Sequence, residues 1–255
     1  MFDLHCHILP GVDDGAQTME DSLNMARLAV QEGITHILAT PHHMNRDWFN
    51  DKRSVITLMN QVQDELDKHH IPLTLFPGQE VRIYGELLDD IKKDTILFAD
   101  EGQQYILIEF PTATVPAYAA RLFYDLQMNG KVPIIVHPER NRVFQESPNK
   151  LKRFIEKGAL AQLTAASYTG ALGKKTQKLS RQMIEANLVH FIASDAHNKN
   201  NRAFHMKEAY DKLAKEYGRS KRQEFYQVTK DILNGEVVIP PSPQSISSSR
   251  FFGLL

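Results

Sequence analysis

Short apolar runs alternate with longer amphipathic stretches about seven times along this chain, and no other feature constrains the fold as much. The apolar runs cover residues 1–4, 35–39, 73–76, 105–110, 133–136, 159–163 and 189–193. Their length and their β-forming side chains mark buried strands. Between them the spacing predicts helices over 18–31, about 54–68, 116–128, 149–157, 174–186, 203–217 and 221–233. The first opens with Thr18-x-x-Asp21, close to a capping box, and Leu23, Ala26, Ala29 and Val30 then share one face. Repetition of strand and helix builds a parallel sheet. Its right-handed crossovers either close into a barrel or wind both ways across an open sheet. No G-x-G-x-x-G or G-x-x-x-x-G-K-[ST] loop follows the first strand, which weighs against a dinucleotide or P-loop fold. One domain is expected over 1–239, followed by a Pro/Ser-rich tail over 240–255.

The polar residues with metal chemistry sit just past these runs. His5-Cys6-His7 follows the first strand, with Asp13 and Asp14 in the next loop. His42-His43 follows the second, Gln79-Glu80 the third and Glu109 ends the fourth. His137-Pro138-Glu139-Arg140 follows the fifth, and Asp195-Ala196-His197 the last. In a parallel barrel the strand C-termini share one rim, where active sites form. Residues i and i+2 on a strand project to the same side, so His5 and His7 can grip one ion while Cys6 points away. The strongest candidate ligands are His5, His7, Asp14, His42, Glu80, Glu109, His137, Asp195 and His197. His43 is an alternative to His42, and Asp13 to Asp14. At about three protein ligands per catalytic ion, nine ligands imply three ions, with two as the conservative count. The set holds nitrogen and oxygen but no thiolate, which suits manganese, iron, cobalt or zinc. Arg140 and Arg202 leave the same rim, and a planar guanidinium binds phosphate oxygens in pairs.

Composition removes other classes. The formal net charge is −1, and there is no basic stripe to hold nucleic acid. No apolar run approaches the roughly 20 residues of a spanning helix, so membrane insertion is not expected. The single cysteine cannot form an internal disulfide, which favours a reducing compartment and a cytoplasmic location.

The strings Asp3-Leu4-His5-Cys6-His7-Ile8-Leu9-Pro10-Gly11-Val12-Asp13-Asp14-Gly15, Ala39-Thr40-Pro41-His42-His43, Pro77-Gly78-Gln79-Glu80, His137-Pro138-Glu139-Arg140-Asn141 and Ser194-Asp195-Ala196-His197 resemble the polymerase-and-histidinol-phosphatase (PHP) superfamily. Within it the chain is similar to bacterial manganese-dependent protein-tyrosine phosphatases of capsule and exopolysaccharide loci. The resemblance runs from residue 1 to about 235. It implies a distorted (β/α)7 TIM-like barrel with three metal ions, most readily manganese, at the C-terminal rim. It assigns His5, His7 and Asp195 to one ion, Glu109 and His137 to a second with Glu80 bridging the two, and Asp14, His42 and His197 to a third. After His42 the chain departs from the family pattern, carrying Arg46-Asp47-Trp48-Phe49 where relatives have Gly-x-Tyr.

The implied reaction is attack on phosphotyrosine by a hydroxide shared between metals, with Arg140 and Arg202 holding the phosphoryl oxygens. The implied substrate is an autophosphorylated bacterial tyrosine kinase that regulates capsule synthesis. Cysteine-dependent tyrosine phosphatases need a C-x5-R loop, yet six residues after Cys6 stands Val12, so any phosphatase activity must rest on metal. A small-molecule phosphomonoesterase of the histidinol-phosphatase type is the alternative reading. The tail reads as a flexible end, or its Phe251-Phe252-Gly253-Leu254-Leu255 docks on a partner.

Overall fold

A computed structural model describes residues 1–246. The described residues form nine parallel strands, β1 (Phe2–Cys6), β2 (His36–Ala39), β3 (His42–His43), β4 (Thr74–Pro77), β5 (Glu80–Arg82), β6 (Tyr105–Glu109), β7 (Val132–Val136), β8 (Leu160–Thr164) and β9 (Phe191–Ala193). These nine make seven staves, because two staves are broken. β2 continues as β3 beyond Thr40-Pro41, and β4 continues as β5 beyond Gly78-Gln79. The register carries across both breaks. Ala39 pairs with Pro77 below them, and His42 pairs with Glu80 above.

The breaks explain the distortion of the barrel. One sheet runs β1-β2-β4, and the other runs β3-β5-β6-β7-β8-β9. β5 bonds to β6 near the rim, whereas β4 has no ladder to β6 lower down. On the other side the barrel closes through β1 and β9. His7 N–H donates to the Ala196 carbonyl at 2.9 Å, and Asp195 N–H donates to the His5 carbonyl at 2.8 Å. The wall is therefore joined to β6 only near the rim and split toward the base.

Period-two alternation sorts the strand side chains. Tyr105, Leu107, Ile134, Val136, Leu160, Phe191 and Ala193 pack in one apolar cluster. Ile106, Ile108, Ile135, Ala161, Leu163 and Ile192 pack in a second with the helices. The outer layer consists of α1 (Met19–Gln31), α2 (Lys52–Lys68), α3 (Leu87–Lys92), α4 (Ala119–Met128), α5 (Arg142–Glu146), α6 (Asn149–Ile155), α7 (Ala165–Thr169), α8 (Lys174–Glu185) and α9 (Met206–Leu233). α1 begins where its sequence predicts. Thr18 and Asp21 complete a capping box, and Leu23, Ala26 and Ala29 are buried. The two helices predicted over 203–217 and 221–233 are joined as α9 through a kink at Gly218, whose φ is +87°.

The start of the tail is tied down, which differs from a free end. Asn187 donates to the Ser242 carbonyl at 3.2 Å, and Gln244 N–H to the Ala186 carbonyl at 2.7 Å. Asn149 exchanges two hydrogen bonds with the Ile246 backbone, at 3.2 and 3.0 Å. The docking expectation for residues 251–255 lies outside the described residues. Among the described residues no helix is long and apolar enough to cross a membrane.

Candidate metal centre

Each strand carries its polar residue to the rim by the same alternation. Glu109 continues the row of Tyr105 and Leu107, and Asp195 that of Phe191 and Ala193. Two strand ends also leave the extended region. His137 has φ +35° and Asp195 φ +52°, a left-handed conformation that side chains other than glycine rarely hold. Both turns aim the side chain back over the barrel mouth. The first loop needs a glycine: a Cβ on Gly15 would lie 2.2 Å from the His7 carbonyl oxygen.

All nine predicted ligands come together. The His5 and His7 Nε2 atoms stand 3.2 Å apart. From each, Glu80 Oε2 and Asp195 Oδ1 lie between 3.3 and 3.5 Å away. His42 Nε2 and His197 Nε2 face Asp14 Oδ1 at 3.4 and 3.3 Å. His42 Nδ1 and His137 Nε2 reach the two oxygens of Glu80, each at 2.7 Å. Four overlapping sets have all their ligand atoms within 4.8 Å of one another. They are His7/Asp14/His42/His197, His5/His7/Glu80, His5/His137/Asp195 and His42/Glu80/Glu109. This grouping differs in part from the one the resemblance implies. Glu109 gathers with His42 and Glu80, and Arg82 faces its Oε2 at 3.0 Å.

Five buried atoms of this cluster make no hydrogen bond of good geometry, His42 Nδ1, Glu80 Oε2, Glu109 Oε2, Asp195 Oδ1 and His197 Nε2, although His42 Nδ1 faces Glu80 Oε2 and Arg82 faces Glu109 Oε2. Burying poorly paired polar atoms is costly, and with His5 Nδ1 donating to Gln162 and His7 Nδ1 to Asp13 the neutral rings turn two Nε2 lone pairs toward each other. Divalent cations satisfy lone pairs of this kind, so the residues fit a polynuclear metal centre with nitrogen and oxygen ligands. Protonation reflects the crowding. Burial and the charge of Glu80 push the Glu109 carboxyl up to about 7. Burial and the nearby cations Arg140 and His7 push His137 and His197 each down to about 4. Burial opposes ionisation of Asp195, yet Arg140 and the facing imidazoles hold it well below the usual carboxylate range.

Arg140 and Arg202 both reach the cluster. Arg140 bonds to Asp195, and Arg202 bonds to Asp14 at 2.9 Å and to Asp195 at 3.4 Å. The Arg142 side chain is exposed. His43 is buried, but its ring packs on Phe49 and it joins none of the four sets. Asp13 is not a substitute for Asp14. It accepts from His7 Nδ1 at 2.7 Å, from Gly15 N–H at 2.9 Å and from His42 N–H at 3.0 Å.

Three contributors are not read from the sequence. Gln162 Oε1 meets His5 Nδ1 at 3.0 Å, so His5 turns its Nε2 inward as Asp13 makes His7 do. A glutamine inside the apolar run 159–163 is the signal that marks it. Asp3 accepts from Ser194 N–H at 2.9 Å and binds its hydroxyl, locking β1 to the Asp195 turn. Arg82 leaves no local pattern.

A parallel α/β barrel that gathers five imidazoles and four carboxylates at its C-terminal rim, ringed by arginines, is a barrel hydrolase of the metal-dependent class. Residues 1–234 match the family described as capsular polysaccharide synthesis, CpsB/CapC, and the chain belongs to that family. It is 45% identical to the tyrosine-protein phosphatase YwqE of Bacillus subtilis over 253 residues, 99% of each chain. It is 27% identical to the tyrosine-protein phosphatase CpsB of Streptococcus pneumoniae over 231 residues, 89% of this chain and 95% of that one. A crystal structure from a study of YwqE and CpsB, described as unique metal-dependent tyrosine phosphatases, superposes with a TM-score of 0.94, at 45% identity. The superposition covers 97% of this chain and all of that one.

Proposed function

We propose that this protein is a metal-dependent protein-tyrosine phosphatase whose substrate is an autophosphorylated tyrosine kinase of a capsule or exopolysaccharide system. The observation that carries the reading is the convergence of four overlapping imidazole–carboxylate sets beside two arginines. His5, His7, Asp14, His42, Glu80, Glu109, His137, Asp195 and His197 would hold three divalent ions, manganese first among them. Such ions supply Lewis acidity toward the phosphoryl oxygens and lower the pKa of water toward neutrality.

The chain's own residues do the rest. Asp13 and Gln162 fix the ring orientations of His7 and His5. Arg140 and Arg202 each spend only part of their donors on Asp195 and Asp14, and the remaining N–H groups would take the phosphoryl oxygens. Water oxygen would bond to phosphorus, releasing its proton to solvent, as the bond to the tyrosine oxygen breaks. The departing phenolate has a pKa of about 10, so it leaves without a strong general acid and takes its proton from solvent. Cysteine chemistry has no place in this scheme. Cys6 is fully buried, and burial with the nearby carboxylates pushes its thiol well up.

The test is phosphotyrosine-peptide turnover after chelation, followed by reconstitution with manganese, iron, cobalt or zinc and measurement of metal content. Chelation should abolish turnover and one metal restore it, while a thiol-alkylating reagent leaves it intact. Full activity after thorough chelation overturns the reading. Faster turnover of histidinol phosphate than of the peptide favours the small-molecule alternative.

A further inference from the structure

The loop between β3 and α2 places an aromatic side chain at the mouth of the metal cluster, against a ligand. The Trp48 indole stacks on the His42 imidazole, with centroids 5.2 Å apart and planes 14° from parallel. Trp48 is only partly buried. Beside it Phe49 is 68% exposed and Met44 36%. Exposed apolar groups are ordinary when scattered, but an indole stacked on a candidate metal ligand at the entrance of a polar site calls for a ligand.

The loop is a built structure. Met44 takes φ +57°, Trp48 N–H donates to the Asn45 carbonyl at 2.8 Å, and Asn45 Oδ1 accepts from Arg46 N–H at 2.9 Å. Its far end is pinned by Asn50, whose amide donates to the Val12 and His42 carbonyls at 3.0 and 2.8 Å. Gln79 donates in turn to the Asn50 carbonyl at 2.5 Å. The backbone is thus fixed at both ends while the apolar tips remain accessible.

We infer that this loop is an aryl-binding subsite, in which Trp48 receives the phenyl ring of an aryl phosphate and sets its preference over alkyl phosphates. The inference rests on the phosphatase reading and adds the substrate's carbon skeleton to it. Arg140 and Arg202 reach the cluster through Asp195 and Asp14, and they hold the anionic end. A phosphotyrosine so held projects a rigid ring outward, and an indole already fixed by its stack on His42 offers that ring an ordered aromatic partner at little entropic cost. Phosphoserine and other alkyl phosphates bring no ring to the subsite.

Trp48 is the only tryptophan in the chain, so its emission reports the subsite directly. In the metal-loaded protein, phenylphosphonate should change that emission with saturation and methylphosphonate should not. Trp48→Ala should lower the ratio of kcat/KM for phenyl phosphate to that for glycerol phosphate by about tenfold, chiefly through KM, and Trp48→Phe by no more than about threefold. A ratio is read because loss of metal through the disturbed His42 stack would slow both substrates together. An unchanged ratio in Trp48→Ala, or equal emission responses to the two phosphonates, overturns the subsite. A wild-type protein that hydrolyses no phosphomonoester with any metal overturns the phosphatase reading instead, and the phosphonate titration still decides the subsite.

Discussion

Asp13 shows how much of the cluster's order comes from residues that are not among the nine. Its carboxylate accepts three hydrogen bonds, two of them from the His7 ring and the His42 backbone. Burial opposes its ionisation, but the facing His7 and those bonds hold its pKa below the usual carboxylate range. Asp13→Asn keeps the shape and removes the charge that fixes the His7 tautomer. The expected result is a folded protein whose metal affinity is weaker by about 10- to 100-fold, read by competition with a chelator. His190 makes a different prediction. Its Nδ1 accepts from Ala161 N–H at 3.0 Å, and burial with the Lys221 charge pushes its pKa down to about 3. An unfolded histidine titrates at about 6.5, so between those values the unfolded chain binds more protons. The contribution of neutral His190 is whole above about pH 6.5 and is lost as pH falls toward 3, by at most about 1.4 kcal/mol per pH unit. His190→Gln keeps an acceptor and cannot titrate. Its urea midpoint should fall less between pH 7 and pH 5 than that of the wild type, and equal falls would exclude His190 as the source.

At the level of elements, the long periodic segments are the legible ones. The seven apolar runs each overlap a strand, and α1, α2, α8 and α9 lie where the apolar spacing predicts them. β3 and β5 are two and three residues long, too short to carry a period, although they seat His42 and Glu80. α3, α5 and α7 are one or two turns held by tertiary packing, so propensity gives them little signal. The candidate site follows the same division. Strand-end histidines and carboxylates are visible because alternation delivers them to one rim. Arg82 and Trp48 join through contacts between elements, for which no sequence spacing stands. Gly218 is a legible exception, since a glycine between two helical periods marks a break. Its φ of +87° and ψ of +164° suit glycine alone, while a Cβ there would meet nothing within 4 Å. Gly218→Ala therefore carries only a backbone cost, about 1–3 kcal/mol. A lower Tm with phosphotyrosine turnover retained is the expected outcome. An unchanged Tm would mean that the two halves of α9 can merge without strain.

For the whole molecule, the candidate metal centre and the fold are one thermodynamic object. Its candidate ligands run from β1 to the loop after β9, so the nine side chains converge only when the barrel closes through the hydrogen bonds of His7 and Asp195. The unfolded chain scatters them, and an ion that binds the closed barrel alone must stabilise it. At a concentration 100 times the dissociation constant the gain is about 2.7 kcal/mol, which in a domain of this size raises Tm by about 5–10 °C. Manganese added to the chelated protein should give that shift. Glu80 is the discriminating position, because its two oxygens face His5, His7, His42 and His137. Glu80→Gln should lose most of the shift, whatever its own starting Tm, while a substitution at the exposed His70 should keep it. Equal shifts in wild type and Glu80→Gln would place the stabilising ions elsewhere on the molecule and separate the rim cluster from metal binding.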